Sequence, residues 1–176
     1  MKNYSPWEKK VRTRSSTPWR RAMTMGKAYA PVGVLVGGYV SMTAQGGGWG
    51  WFFVFAGVAA FVAGFAMWLA FVSVKPTVGR GIVAGAFAGI VSHWLCWLFS
   101  MIFWRFTFLT MHMPLSSLGE APMTMFEVPL GAGVFSLWSL FIFGAVTIPA
   151  GAFIGGVVGF IQKKSVDAAR GASTDV

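Results

Sequence analysis

No Asp, Glu, Lys or Arg occurs in residues 28–74, 81–104 or 128–162; all 14 basic and 5 acidic residues crowd into the stretches between and outside them. An α-helix rises about 1.5 Å per residue and a bilayer's hydrocarbon core is about 30 Å thick, so one crossing needs roughly 20 apolar residues. The first uncharged stretch holds two crossings, with Gln45-Gly46-Gly47-Gly48 near its middle as a turn signal. The second matches one crossing. The third is too long for one upright helix, so its crossing is placed late and 128–135 is read as an interfacial lead-in. The pattern predicts an all-α integral membrane protein with four transmembrane helices at about 28–44, 50–74, 81–104 and 136–161. A charge at the centre of an inserted helix costs about 2.5–3.5 kcal/mol on insertion scales, which is why such long stretches exclude charge.

The basic residues orient these spans. Eight precede the first span, Lys75 and Arg80 lie between the second and third, and Lys163, Lys164 and Arg170 follow the fourth. The other connections carry only Arg105, beside Glu120 and Glu127. Positively charged loops stay on the cytoplasmic side. Both termini and residues 75–80 are therefore expected inside, and 45–49 and 105–135 outside. The chain divides into a basic cytoplasmic tail at 1–27, a four-span membrane domain at 28–162 and a cytoplasmic tail at 163–176.

Composition narrows the class. Of 176 residues, 56% are hydrophobic and 11% charged, which excludes a disordered chain and departs from the quarter or so of charged residues usual in soluble domains. The single cysteine excludes a disulfide framework. A net charge of +9 raises the question of nucleic acid, but no recognition motif accompanies Lys9, Lys10, Arg12 and Arg14. Topology setting and attraction to anionic lipid headgroups account for the tail instead. Arg20-Arg21 lacks the flanking residues of a twin-arginine signal, and no cleavage site follows it.

Each span carries small residues every fourth position: Gly33, Gly37 and Ser41; Ala56, Ala60 and Gly64; Gly81, Gly85 and Gly89; Gly151, Gly155 and Gly159. Residues four apart share a helix face, and small ones let another backbone approach closely in lipid. These rows predict a tightly packed, glycine-rich bundle, with the rows of spans three and four meeting at their cytoplasmic ends. Four rows also exceed what one bundle needs, so a row facing another subunit is a further expectation. Pro149 lies within span four, removes a backbone bond to Ala145 and predicts a kink.

His93, midway along span three, is the one ionisable residue at bilayer depth, where polar residues are candidates for function. It shares a face with Gly85, Gly89, Cys96 and Ser100. The first reading is a hydrogen bond to a neighbouring helix. The second is axial ligation of a haem or other tetrapyrrole, with Gly89 leaving room for the flat macrocycle. The third is proton or substrate handling, for which no relay of titratable groups accompanies it. In the outer loop, Met111, His112, Met113, Met123 and Met125 offer soft ligands suited to Cu(I), against the bland alternative that methionine fills membrane interfaces. The expectation is that no cofactor is bound, with haem and Cu(I) as alternatives. Cys96 reads as an inert buried thiol, and Trp49, Trp51 and Trp104 as outer interface anchors. No nucleophile–base pair, paired carboxylates or phosphate loop can be assembled from the sequence, so the chain reads as non-enzymatic.

These features point first to a multi-pass subunit or assembly factor of a larger membrane complex. A small oligomeric transporter or channel, its glycine rows lining a path, is the alternative. A haem- or pigment-binding electron-transfer or light-harvesting subunit built on His93 is the third. The expected partners are the bilayer and other membrane subunits or further copies of the chain. The compact loops suggest a bacterial cytoplasmic (inner) membrane.

Overall fold

A computed structural model describes residues 18–44, 49–72, 75–111 and 122–171, all helices and short connections with no strand among them. Four helices follow one another: α1 Pro18–Thr43, α2 Phe52–Phe71, α3 Val78–Met111 and α4 Val128–Gly171. A single 3₁₀ turn, Trp49–Trp51, leads into α2. The Gln45–Gly48 turn signal lies outside the described residues, as do His112, Met113 and Glu120.

The helices exceed most of the expected spans. α1 starts ten residues before 28 and takes in Arg20, Arg21 and Lys27. Pro18 can open it because the N–H it lacks would have no partner in the first turn. α4 absorbs 128–135, the expected lead-in, and continues through Lys163 and Lys164. α2 instead stops at Phe71, where Val72 donates its N–H back to the Trp68 carbonyl at 2.9 Å. At about 1.5 Å per residue, α3 and α4 are ~50 and ~65 Å long, well beyond a ~30 Å hydrocarbon core. Three segments are long and apolar enough to cross a membrane: Trp49–Phe71, Val78–Met111 and Val128–Ala168. Length and composition therefore support three of the four expected crossings. α1 carries three cations, Arg20, Arg21 and Lys27, among its first ten positions, leaving 28–43 as its uncharged helical part.

Sequential helices are neighbours, and each pair runs antiparallel. On α1 and α2, Gly26 lies against Phe61, Gly33 against Ala56 and Ala60, and Gly37 against Phe53. On α3 and α4 the approach is backbone to backbone. A methyl built on Gly85 would collide with the Gly151 carbonyl, and one on Gly81 with the Gly155 carbonyl; the reciprocal collisions hold as well. Gly89 packs on Ile148 Cα, and Gly159 on the Thr77 carbonyl. Aromatic rings join α2 to α3, with Phe71 stacked on Phe87 at 5.4 Å and Phe55 against Phe103 at 5.1 Å.

α1 and α4 complete the bundle through fewer contacts. Gln162 Nε2 donates to the Arg21 carbonyl at 3.1 Å, and the Tyr29 hydroxyl donates to the Thr147 carbonyl at 3.1 Å. Between these ties a fully buried core of Ala22, Met25, Tyr29, Ala63, Trp68 and Ala88 fills the half of the bundle toward the N-terminus of α1. At the opposite end, Trp49 sets its ring edge-on to Trp97 and to Trp104, both at 6.1 Å. Of the three expected interface anchors, Trp49 and Trp104 make this edge-on contact and are half-buried, while Trp51 is exposed.

Candidate functional site

His93 sits in the middle of α3, 7% exposed, and its ring bridges two turns of α4. Nδ1 lies 2.5 Å from the Ser139 hydroxyl and Nε2 2.8 Å from the Thr147 hydroxyl. Gly89, one turn earlier, brings α4 this close: a methyl there would stand 2.9 Å from both Ile148 Cα and the Thr147 carbonyl. The room expected beside Gly89 for a flat macrocycle is filled by α4 backbone, and neither ring nitrogen is free to ligate. Of the three readings of His93, the interhelical hydrogen bond is the one this geometry displays.

A hydrogen count allows these bonds two sets of directions, one for each tautomer of the ring. A hydroxyl has one hydrogen to give and two lone pairs to accept with. The Thr147 hydroxyl stands 2.8 Å from Nε2 and 3.1 Å from the Phe143 carbonyl, so its one hydrogen serves one of the two, according to the ring tautomer. The Ser139 hydroxyl donates to Nδ1 in one tautomer and accepts from it in the other. The Tyr29 hydroxyl donates to the Thr147 carbonyl, and Ser92 donates to the Gly89 carbonyl at 2.9 Å.

Ser139 and His93 also form a nucleophile–base pair by distance, contrary to the expectation that none can be assembled. They lie 46 residues apart, a separation along the chain that gives no pairing signal until α3 and α4 are docked. The surroundings do not complete a catalytic site. Ser139 is in mid-helix, where backbone N–H groups are engaged along the helix and cannot converge on an oxyanion. The described carboxylates, Glu127 and Asp167, lie near opposite ends of α4, remote from the His93 ring that an acid would orient.

A cavity of about 130 Å³ adjoins this cluster. Its floor is Ser92, His93, Cys96 and Trp97 of α3. One wall is the second half of α1, from Val32 to Val40, and the facing wall is α4 from Trp138 to Thr147. Phe52, Ala56 and Ala60 of α2 close the back. The cavity arises because α1 and α4 meet at Tyr29 and Thr147 and then diverge.

The methionine loop is not gathered into a site among the described residues. Met111 and Met125 are exposed, and the Met123 sulfur lies over Gly131, near the sulfur of Met101. No group of three His, Cys, Asp or Glu capable of holding a metal occurs among the described residues. Cys96 is buried and unpaired with another cysteine.

The partners of His93 were the main omission from the sequence reading. Ser136, Ser139 and Thr147 are the polar residues inside the uncharged 128–161 stretch, and their spacing of 3 and 8 puts them near one helix face. That alignment is the signal that pointed to a polar seam. No known family model, curated protein or solved structure matches the chain.

Proposed function

We propose that the chain is a non-enzymatic, four-span subunit or assembly factor of a larger membrane complex, with both termini cytoplasmic, in a bacterial inner membrane. The observation that carries this reading is where the small-residue and polar groups are spent. The rows of α3 and α4 face each other, those of α1 and α2 likewise, and His93 gives both nitrogens to α4. The side chains best suited to lining a path or performing chemistry thus hold the unit together. What it offers outward is a continuous apolar surface, including Leu130, Leu137, Phe141 and Phe153 of α4.

Two features favour α1 as the fourth crossing. Its residues 26–37 lie beside 52–64 of α2, so the two helices traverse the same depth. The exposed hydroxyls of Thr43, Thr107 and Thr110 each donate to the carbonyl four residues earlier, which suits a face without water. Gentle detergent extraction from the native membrane followed by native mass measurement tests the subunit role. A stoichiometric complex with other membrane chains is expected. A preparation consisting only of the free monomer or of homo-oligomers overturns it and moves the weight to the oligomeric transporter.

A further inference from the structure

The sequence places Lys27 at the end of a cytoplasmic tail; docking carries it deeper. Gly26 packs between Phe61 and Gly64, midway along α2. That helix has 20 residues, a length of ~30 Å that matches the hydrocarbon core. Tyr29, two residues after Lys27, reaches Thr147 and so the level of the His93 cluster on α4. Both registers set Lys27 near mid-depth, about 15 Å from the edge of the hydrocarbon and beyond the reach of its four-carbon stem. The side chain is exposed there, and its ammonium has no hydrogen bond or ion pair among the described residues. It heads a groove of about 520 Å³ walled by Ala30, Pro31, Val34 and Leu35 of α1 and Phe61 of α2. Pro31 has no N–H for the Lys27 carbonyl one turn earlier, so a backbone acceptor stands beside the cation without its usual helical donor. Such groups are costly against hydrocarbon, and inside a membrane they pair with a partner of opposite character.

We infer that this groove receives a transmembrane helix of a different chain, whose Asp or Glu side chain pairs with Lys27. The counter-charge has to come from elsewhere, because all five acids of this chain lie outside the uncharged stretches 28–74, 81–104 and 128–162. For the same reason a second copy of the chain brings no carboxylate to that depth. A lipid phosphate belongs at the edge of the hydrocarbon, where it meets Arg20 first, seven residues or ~10 Å nearer the N-terminal end of α1. From Lys27 to Leu35 the groove runs ~12 Å along α1, enough for two turns of a docked helix. The inference rests on the subunit role and on α1 as a crossing, as proposed above, and names the surface and the charge through which the partner is met.

The test uses the full-length protein in phosphatidylcholine vesicles, carrying a dye at Met42→Cys, an exposed position at the far end of α1, on a Cys96→Ser background. The probes are synthetic transmembrane peptides, one leucine–alanine helix with glutamate, glutamine or leucine at its centre, and association is read by energy transfer. The glutamate peptide is expected to associate about tenfold more tightly than the leucine peptide, the ratio that one hydrogen bond to a charged group supplies. Lys27→Gln is expected to abolish that preference while leaving the leucine peptide unchanged, and Lys27→Arg to keep it. Equal association of the three peptides, or a glutamate preference that survives Lys27→Gln, would overturn the inference. So would phosphatidylglycerol, mixed into the vesicles, that is retained through Lys27 and excludes the glutamate peptide, since the occupant is then an anionic lipid. Because the peptides stand in for the native partner, these failures are separate from failure of the subunit role, which the native mass measurement decides.

Discussion

His93 illustrates how a polar side chain at bilayer depth becomes structural. Each of its ring nitrogens meets a hydroxyl on α4, and each hydroxyl is satisfied in turn. Measured interhelical hydrogen bonds in membranes average about 0.6 kcal/mol and reach about 1.7. Loss of both bonds in His93→Leu is therefore expected to destabilise the protein by about 1–3 kcal/mol in an SDS unfolding titration. His93→Gln, which reaches one of the two hydroxyls, is expected to recover part of that loss. Identical midpoints for the three proteins would show that the bonds contribute nothing. The Ser139–His93 pair carries a separate expectation: a fluorophosphonate probe leaves Ser139 unlabelled, because no oxyanion site accompanies it.

Along the helices, the decisive quantity is distance between backbones. Overpacking soluble cores costs about 1–3 kcal/mol, with room to relax through side chains. At Gly85 the opposing atoms are a carbonyl and its α-carbon neighbours, which relax only by moving the whole helix. Gly85→Ala is thus expected to cost at least about 2 kcal/mol. Gly133→Ala, on the same helix pair but facing open space, is expected to stabilise by about 0.5–1 kcal/mol through helix propensity. Equal thermal midpoints for the two variants would sink this account of the α3–α4 seam. The start of α4 depends on a different device. Glu127 accepts from the Thr124 N–H at 2.9 Å and the Thr124 hydroxyl at 2.8 Å, both on one carboxylate oxygen, which ties down the turn ahead of the first helical residues. The Thr124 N–H and then its hydroxyl hold the Glu127 carboxyl below its ordinary value, with Arg105 adding a smaller pull in the same direction. Because the folded state depresses this acid, the cap is intact above the usual glutamate range and is lost as pH falls below it. Amide protection factors at 124–131 should therefore fall as the pH drops through and below the ordinary glutamate range in the unaltered protein, whereas Glu127→Gln should show no such step.

The whole bundle is a chain of antiparallel neighbours closed by a short α1–α4 contact. Its seams divide into a close glycine-to-glycine joint between α3 and α4, a mixed Gly–Ala joint between α1 and α2, and an aromatic joint between α2 and α3. The α1–α4 seam, tied at Arg21–Gln162 and Tyr29–Thr147, is the least extensive of the four. The orientation can be checked on a Cys96→Ser background. An impermeant maleimide added to intact cells should label Phe126→Cys, whose position is 96% exposed beyond α3, and should reach Lys75→Cys only after permeabilisation. The reverse pattern would invert the topology.

Long uncharged stretches were enough to locate four helical elements, because the cost of burying a charge in lipid is a property of each segment alone. The four-residue rows likewise marked the packing faces, since helical periodicity places i and i+4 together whatever the neighbour is. Thr124 and Glu127 spell a capping box that was equally readable, though the charge-based reading left it in an outer loop. Which face meets which was beyond that reach. Gly85 is matched to Gly151 and His93 to Ser139 and Thr147 only once α3 and α4 have a register, and register is set by all the contacts of the seam at once. Trp49 and Trp104 read from the sequence as anchors at the outer surface, and only docking shows that they also meet edge-on at that end of the bundle. The cavity has no sequence signature at all. It is the space left where α1 and α4, held together at Tyr29, part company, and such a gap exists only in the packing of all four helices.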